Sequence, residues 1–324
     1  MIEMIIQRVA DGQAFDISEL VGNIEWSTDI LDNQPGKLRF EYVEDDRIIP
    51  HYGDVLRFRF NNTGVFFGRV FTKSRTEKGV TEVTAYDSMR FLKNKHTYVL
   101  PAMTSSQIFS RLCGDFGLTH RVVDPSHFNV AAKVHDNESL FDIIDDALGQ
   151  TILNNRQWYI IRDNFGVLEH VHLNRLQTSL VVGDESMASI YDFTGSINED
   201  TFNQVRLVRE NQDTQRREVY MVKDSNNIRL WGLLQYHNSV DENMNFAQIQ
   251  ARSKRQLEAK NRPTRDLKIT ALGDLQIRAG NGIVLAIERL RSEGFAAAQR
   301  ALVSHCTHVW DNGTHEMDLE IKVV

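Results

Sequence analysis

Residues 52–95 read YGDVLRFRFNNTGVFFGRVFTKSRTEKGVTEVTAYDSMRFLKNK, and this stretch decides the fold class. Val55, Arg57 and Arg59 alternate with Leu56, Phe58 and Phe60, the period of a strand with one apolar face. Asn61-Asn62-Thr63-Gly64 supplies turn residues for a hairpin. Val65 to Phe71 reads as the returning strand, with Gly68 at a bulge or a close backbone approach. Lys78-Gly79 turns the chain again. Val80, Glu82 and Thr84 then alternate with Thr81, Val83 and Ala85. The pattern predicts three short antiparallel strands in a meander.

Upstream, Met1 to Val9 is strand-like, Asp11-Gly12 is a tight turn, and Ile17 to Trp26 is a second run interrupted at Gly22. Asp32-Asn33-Gln34-Pro35-Gly36 marks a turn before Lys37 to Val43, where Leu38, Phe40 and Tyr42 alternate with charges. About six strands in some 90 residues predict a small β-barrel or sandwich. Composition then changes. Thr104 to Gly117 reads as a helix, with Thr104 and Gln107 spaced as a capping box and Gly117 suited to follow its end. A second helix is expected from Ser139 to about Leu148, extending past Gly149 if the glycine is tolerated. Arg156 to Leu173 reads as a hairpin turning at Asp163-Asn164-Phe165-Gly166.

Strand signals return at Gln204–Glu210, Glu218–Lys223 and Ile228–His237, separated by the polar turns 212–215 and 224–227. Asn245 to Lys260 is a helix ending before Pro263. Asp266–Leu272 and Ile283–Leu290 alternate again. Gly294 to His308 reads as a strand pair or a short helix around Ala296, and Asn312-Gly313 opens the strand His315–Val323. The expected architecture is mainly β with an α+β insert. Its parts are a tube-like β-barrel at 1–97, an α+β domain at 98–193, and a second barrel at 194–324 with a helix near 245–261. Gly53-Asp54-Val55-Leu56 corresponds loosely to the stretch Gly280–Leu285, and Gly79–Val83 to Gly313–Met317, a faint internal repeat.

At 324 residues, with 41% apolar and 25% charged residues, the chain has the composition of a soluble protein of two or three compact units. A formal charge of -7 argues against a general nucleic-acid binder. Cys113 and Cys306 are too few for a disulfide framework and fit a reducing cytoplasm. No run reaches the ~20 apolar residues of a membrane helix, and Met1 to Ala10 lacks a signal-peptide core.

No motif for catalysis emerges. His170 and His172 share one face of a strand, as do Cys306 and His308. A zinc site wants four converging ligands at tight spacing, so these histidines read as solvated or edge positions. Cys113 reads as core filler on a helix. The carboxylate pairs Asp45-Asp46, Asp145-Asp146 and Asp184-Glu185 read as solvated surface, since adjacent residues do not face each other. Phosphate loops and nucleophile elbows are absent from the sequence. The basic residues Arg252, Lys254, Arg255, Lys260, Arg262 and Arg265 lack interleaved aromatics and read as a solvated face or subunit contact. Trp26, Trp158, Trp231 and Trp310 could stack on sugars, but core burial explains most of them better. No catalytic, cofactor-binding or metal residue is therefore assigned.

In order along the chain, Gly53-Asp54, Phe67-Gly68-Arg69-Val70, Val83-Thr84-Ala85-Tyr86-Asp87 and Phe91-Leu92 resemble phage baseplate hub proteins. The match is to the late-control protein D family and the PBSX-prophage-like hubs of contractile tails and tailocins. It covers 36–96 most clearly and extends over the helix pair and 266–324, where Gly280-Asn281-Gly282 replaces the usual Gly-Asp. The resemblance implies a structural, non-enzymatic protein without cofactors, in the baseplate of a phage or tailocin particle assembled in the bacterial cytoplasm. It implies a homotrimer whose two tube-like barrels per chain form a pseudo-sixfold ring. Its partners would be the tail tube protein, the central spike protein, other baseplate proteins and the tape measure protein, with neither membrane insertion nor sequence-specific nucleic-acid binding. The alternatives are a carbohydrate- or ligand-binding β-barrel module or a cell-wall hydrolase. The latter is disfavoured because the strand to Val323 is expected to close its unit, leaving no room for an appended hydrolase domain.

Overall fold

A computed structural model describes residues 1–31, 34–43, 48–75, 77, 79–184, 188–198, 200–211, 216–240, 242 and 244–322. The expected turn residues Asp32, Asn33, Lys78 and 212–215 lie outside them, as do Asp45, Asp46, Glu185 and Val323. The chain forms two units, Met1–Tyr191 with Lys268–Val324, and Asp192–Leu267. The stretch 194–324 is thus divided at Leu267.

The first unit is mainly β. Its principal strands are β1 (Ile2–Gln7), β2 (Val21–Asp29), β3 (Lys37–Val43), β4 (Val55–Phe60), β5 (Thr63–Arg75) and β6 (Val80–Asp87). Alternation does what the sequence requires: Leu38, Phe40 and Tyr42 of β3 are buried while Arg39 and Glu41 face out. The inward side chains form one core with Met4, Ile6, Leu56, Phe58, Phe66, Val83 and Trp26. Asn61 and Asn62 both have positive φ, 48° and 65°, which makes the β4–β5 turn a two-residue type I′ hairpin closed by Phe60 and Thr63.

Between Lys95 and His172 lies the α+β segment. Helix α1 (Ser105–Asp115) starts at Thr104, whose hydroxyl accepts from the Gln107 amide while the Gln107 side chain accepts from the Thr104 amide. Helix α2 (Leu140–Asn155) uses the same box at Ser139 and Asp142, and runs through Gly149. Hairpin β7 (Tyr159–Asn164) and β8 (Val167–His172) turns at Phe165 and Gly166, again with positive φ at both. Phe109, Leu112, Leu140, Ile144 and Leu168 gather into a core of their own. Removing one cap should matter modestly: Ser139→Ala is expected to destabilise by about 1 kcal/mol, read as a lower urea midpoint, and an unchanged midpoint would refute the cap's contribution.

After β9 (Gln177–Gly183) the chain leaves for the second unit, where β10 (Gln204–Asn211) pairs antiparallel with β11 (Arg216–Lys223) and parallel with a third strand. The expected strand 228–237 is instead helix α3 (Ser225–Trp231) followed by that third strand, β12 (Gln235–Ser239). The side chain of Asp224 accepts from the Asn226 and Asn227 amides, so the polar run 224–227 is a helix start rather than a hairpin turn. Helix α4 (Phe246–Lys260), capped by Asn245, lays Ile249 on Val205 and Leu207.

Back in the first unit, β13 (Gly282–Ala286) pairs parallel with β9 and antiparallel with β14 (Gln299–Asp311). Of the two alternatives for 294–308, a strand pair or a short helix around Ala296, the helix is not formed and the single strand β14 is, preceded by a 3-10 turn at Glu288–Glu293. Asn312 and Gly313 make the expected type I′ turn into β15 (Thr314–Lys322). The antiparallel pairing order is β15-β14-β2-β3-β6-β5-β4-β1, so the last hairpin is seated against β2, with His308 opposite Trp26.

The faint repeat has a counterpart in the backbone. Gly53 and Gly280 have φ of 86° and 90°. Their amides donate to the carbonyls of Val70 and Val303 respectively, each at 2.8 Å. The amides of Val70 and Val303 in turn donate to the carbonyls of Asp54 and Asn281, each at 2.9 Å. Each side chain accepts from the amide three residues before it, Asp54 from His51 and Asn281 from Arg278. β4, β5 and β6 therefore correspond to β13, β14 and β15. Only a residue free to adopt positive φ, followed by a short side-chain acceptor, fits this corner.

Candidate functional site

The side chains with chemical potential are absorbed into structure. His170 is fully buried: Nδ1 lies 2.9 Å from the Asp124 carbonyl, Nε2 lies 3.3 Å from the Ser105 hydroxyl, and the ring stacks on Tyr159. A serine beside a histidine suggests a nucleophile and base, but Ser105 is itself fully buried and bonds Ser126, whose hydroxyl also accepts from the Ser106 amide. The group secures the start of α1. Burial lowers the His170 pKa to about 4. His172, two residues on, accepts from the Asn174 amide. His308 and Cys306 likewise point together into the core rather than to solvent, which corrects the expectation of solvated histidines. Burial pushes the Cys113 thiol to about 12 and raises that of Cys306 further, so neither thiol is primed as a nucleophile. Among the described residues no three His, Cys, Asp or Glu side chains converge as metal ligands.

Of the carboxylate pairs, Asp146 bonds Lys133 and Gln150, and Asp184 accepts from the Glu288 amide. Arg252, Lys254 and Arg255 are exposed on the outer face of α4, and Lys260 pairs with Asp200. Trp26 and Trp310 are buried, whereas Trp158 and Trp231 are not.

Sequence reasoning missed the polar node that joins the β4–β6 meander to the β7–β8 hairpin. Asp87 is buried and accepts from the amides of Gly36 and Met89 at 2.9 and 3.0 Å. Asp163 accepts from Gly166 and Ser88 at 2.7 and 3.3 Å. Burial raises both carboxyls, and Asp163 raises Asp87 further. Arg278 reaches in from the loop before β13 and donates to the Asp163 carbonyl at 2.7 Å, and desolvation lowers its pKa to about 10. Alongside, Glu169 is desolvated, yet its pKa is lowered because Asn164, Arg121 and Arg162 all donate to it. The cavity between them is about 20 Å³, room for one water. The node is a fastening device, and a more open pocket of about 260 Å³ lies beside its Arg162, Asn164 and Arg278.

The same junction is interlocked through glycines. A Cβ on Gly64 would lie 2.8 Å from the Phe165 ring, and one on Gly166 would lie 2.5 Å from Phe67. The two rings pack with centroids 5.8 Å apart. Beside β14 an aromatic stack runs through Trp26, His308, His315 and Trp310. Open surface among the described residues includes an apolar groove beside α2 and the exposed Leu230 of α3.

A family model described as YQBQ-like matches residues 24–322. The chain is 28% identical over 278 residues to the uncharacterized protein YqbQ of Bacillus subtilis, covering 83% of this chain and 81% of that one. It is 27% identical over 238 residues to the phage-like element PBSX protein XkdQ of the same organism, covering 72% of each. Its fold is similar to that of the prophage MuSo2 43 kDa tail protein from Shewanella oneidensis, with a TM-score of 0.72 and 13% identity over 98% of both chains.

Proposed function

This chain belongs to the YQBQ-like family, and we propose that it is the structural baseplate hub of a contractile phage tail or tailocin. In this role three copies form a pseudo-sixfold ring between the tail tube and the central spike. The observation that carries the reading is the duplicated corner at Gly53-Asp54 and Gly280-Asn281, with its matching strand triplets. Two equivalent strand triplets in one chain let a threefold ring offer six similar positions to a sixfold tube. The mainly β fold shared with a prophage tail protein, and the PBSX relative, support a tail-borne location. In this reading 1–97 and the closing strands of 194–324 are the tube-facing barrels, and 98–193 faces other baseplate proteins. The tape measure protein meets the ring on its axis. The work is done by surfaces, without catalysis or cofactor.

The test is to purify tail particles from cells carrying a tagged copy of the gene, and to repeat the preparation with the gene deleted. Three tagged chains per particle, and tubes without spikes after deletion, are the expected results. Particles that assemble complete without the chain would overturn the proposal.

A further inference from the structure

Beside α2 the first unit holds an apolar groove of about 200 Å³. Ile144, Leu148 and Ile152 line it from the helix, and Leu31 and Trp158 stand at its rim, 53% and 45% exposed. Two features of this groove have no explanation inside the chain. Gly149 sits mid-helix, where glycine costs about 1 kcal/mol relative to alanine, yet a Cβ there would meet nothing within 4 Å. Asp145 also lines the groove, is exposed, and makes no hydrogen bond or ion pair among the described residues. Burial raises its pKa, as do the neighbouring Asp142 and Asp146. The groove is thus shaped for apolar anchors, lets a foreign backbone approach at Gly149, and lacks one cation.

The chain itself carries a segment of that description. Helix α3 has no buried residue. Leu230 and Leu233 are 69% and 58% exposed, and Trp231 is half-buried. Arg229 stands exposed beside them with no ion pair among the described residues. The segment is held ready: the Asn203 side chain donates to the Gly232 carbonyl at 2.7 Å and accepts from the Leu234 amide at 2.9 Å. A preordered knob loses little entropy on docking.

We propose that residues 228–233 of one copy dock into the α2 groove of a second copy, with Leu230 and Leu233 as anchors and Arg229 meeting Asp145. Knob and groove are different surfaces, so the contact is heterologous and closes only as a ring. The inference rests on the hub reading for its closure at three copies, and it names the surfaces that make the ring.

Two full-length variants test it, Leu230→Ser with Leu233→Ser in the knob, and Asp145→Arg in the groove. The altered side chains are exposed, and thermal melts should match the wild type. By light scattering the wild type should weigh three chains of 37.3 kDa, and each variant one chain. An equimolar mixture of the two should form a 1:1 pair, because one intact groove and one intact knob remain. Combining Asp145→Arg with Arg229→Asp in one chain should restore the ring. Variants that keep the wild-type mass, or a mixture that stays as single chains, would overturn the knob and groove while leaving a hub built through other surfaces. A wild type that stays a single chain at every concentration overturns self-docking, and the hub reading is then decided by recovery of the chain from tail particles.

Discussion

Gly68→Ala is expected to destabilise the protein by about 3 kcal/mol or more, the upper end for an overpacked interior. Gly68 lies between β4 and β6, opposite Leu56 on one side and Asp87 on the other. A Cβ there would sit 2.2 Å from the Tyr86 carbonyl oxygen and 2.6 Å from the Phe66 ring. The oxygen belongs to a strand backbone, so it can yield only by disturbing the ladder that carries Asp87 into its node. Gly114→Ala in α1 is the control, since its Cβ would meet nothing within 4 Å, and a gain of up to about 1 kcal/mol is expected from helix propensity. Guanidinium denaturation of both variants checks the pair. Equal midpoints would sink the steric account.

The second expected result concerns acid. The Nε2–H of His308 donates to the Ile277 carbonyl at 2.8 Å, so Nδ1 is left to accept from His315 at 3.0 Å. Desolvation, with a smaller contribution from His315, lowers the His308 pKa from 6.5 to about 4. A depressed pKa means that the unfolded chain binds the proton more readily than the folded one. The stability from neutral His308 is full above pH 6.5 and is lost as pH falls toward 4, about 3 kcal/mol over that interval. His170 repeats the effect in the helical core. The raised carboxyls of Asp87 and Asp163 act in the opposite sense, adding relative stability as pH falls toward 3.8. Comparing wild type with His308→Gln isolates the histidine. The variant should be weaker at pH 7 but lose about 3 kcal/mol less between pH 6.5 and 4. Parallel curves would refute the assignment.

Local chemistry was legible in the sequence and long-range pairing was not. The capping box at Thr104, the helix starts at Ser139 and Asn245, the Asn312-Gly313 turn and the close approach at Gly68 follow from residues within a few positions of one another. The Gly53 and Gly280 corners were visible as a faint repeat because each is set by its own glycine and side-chain acceptor. α3 was misread because Ile228 to His237 is apolar enough for a strand, and the capping role of Asp224 decides otherwise. The buried histidines were misread because alternation shows that His170 and His308 share a face with their neighbours, not which face is inward. The Asp87–Asp163–Arg278 node and the groove at Asp145 need partners more than 70 residues apart or a void between elements, and no short motif encodes either.

The pairing of β14 with β2 has a consequence for how the chain is made. His305 bonds Asp29 across 276 residues of sequence. At roughly 5–20 residues per second, the edge of β2 waits on the order of half a minute after its own synthesis for its last neighbour to leave the ribosome. Until then it presents unpaired amides and carbonyls to solvent. Any product that stops before residue 299 keeps that edge open permanently. Sheet completion is therefore a late event: a chain truncated before that strand would carry an unpaired, aggregation-prone edge along β2.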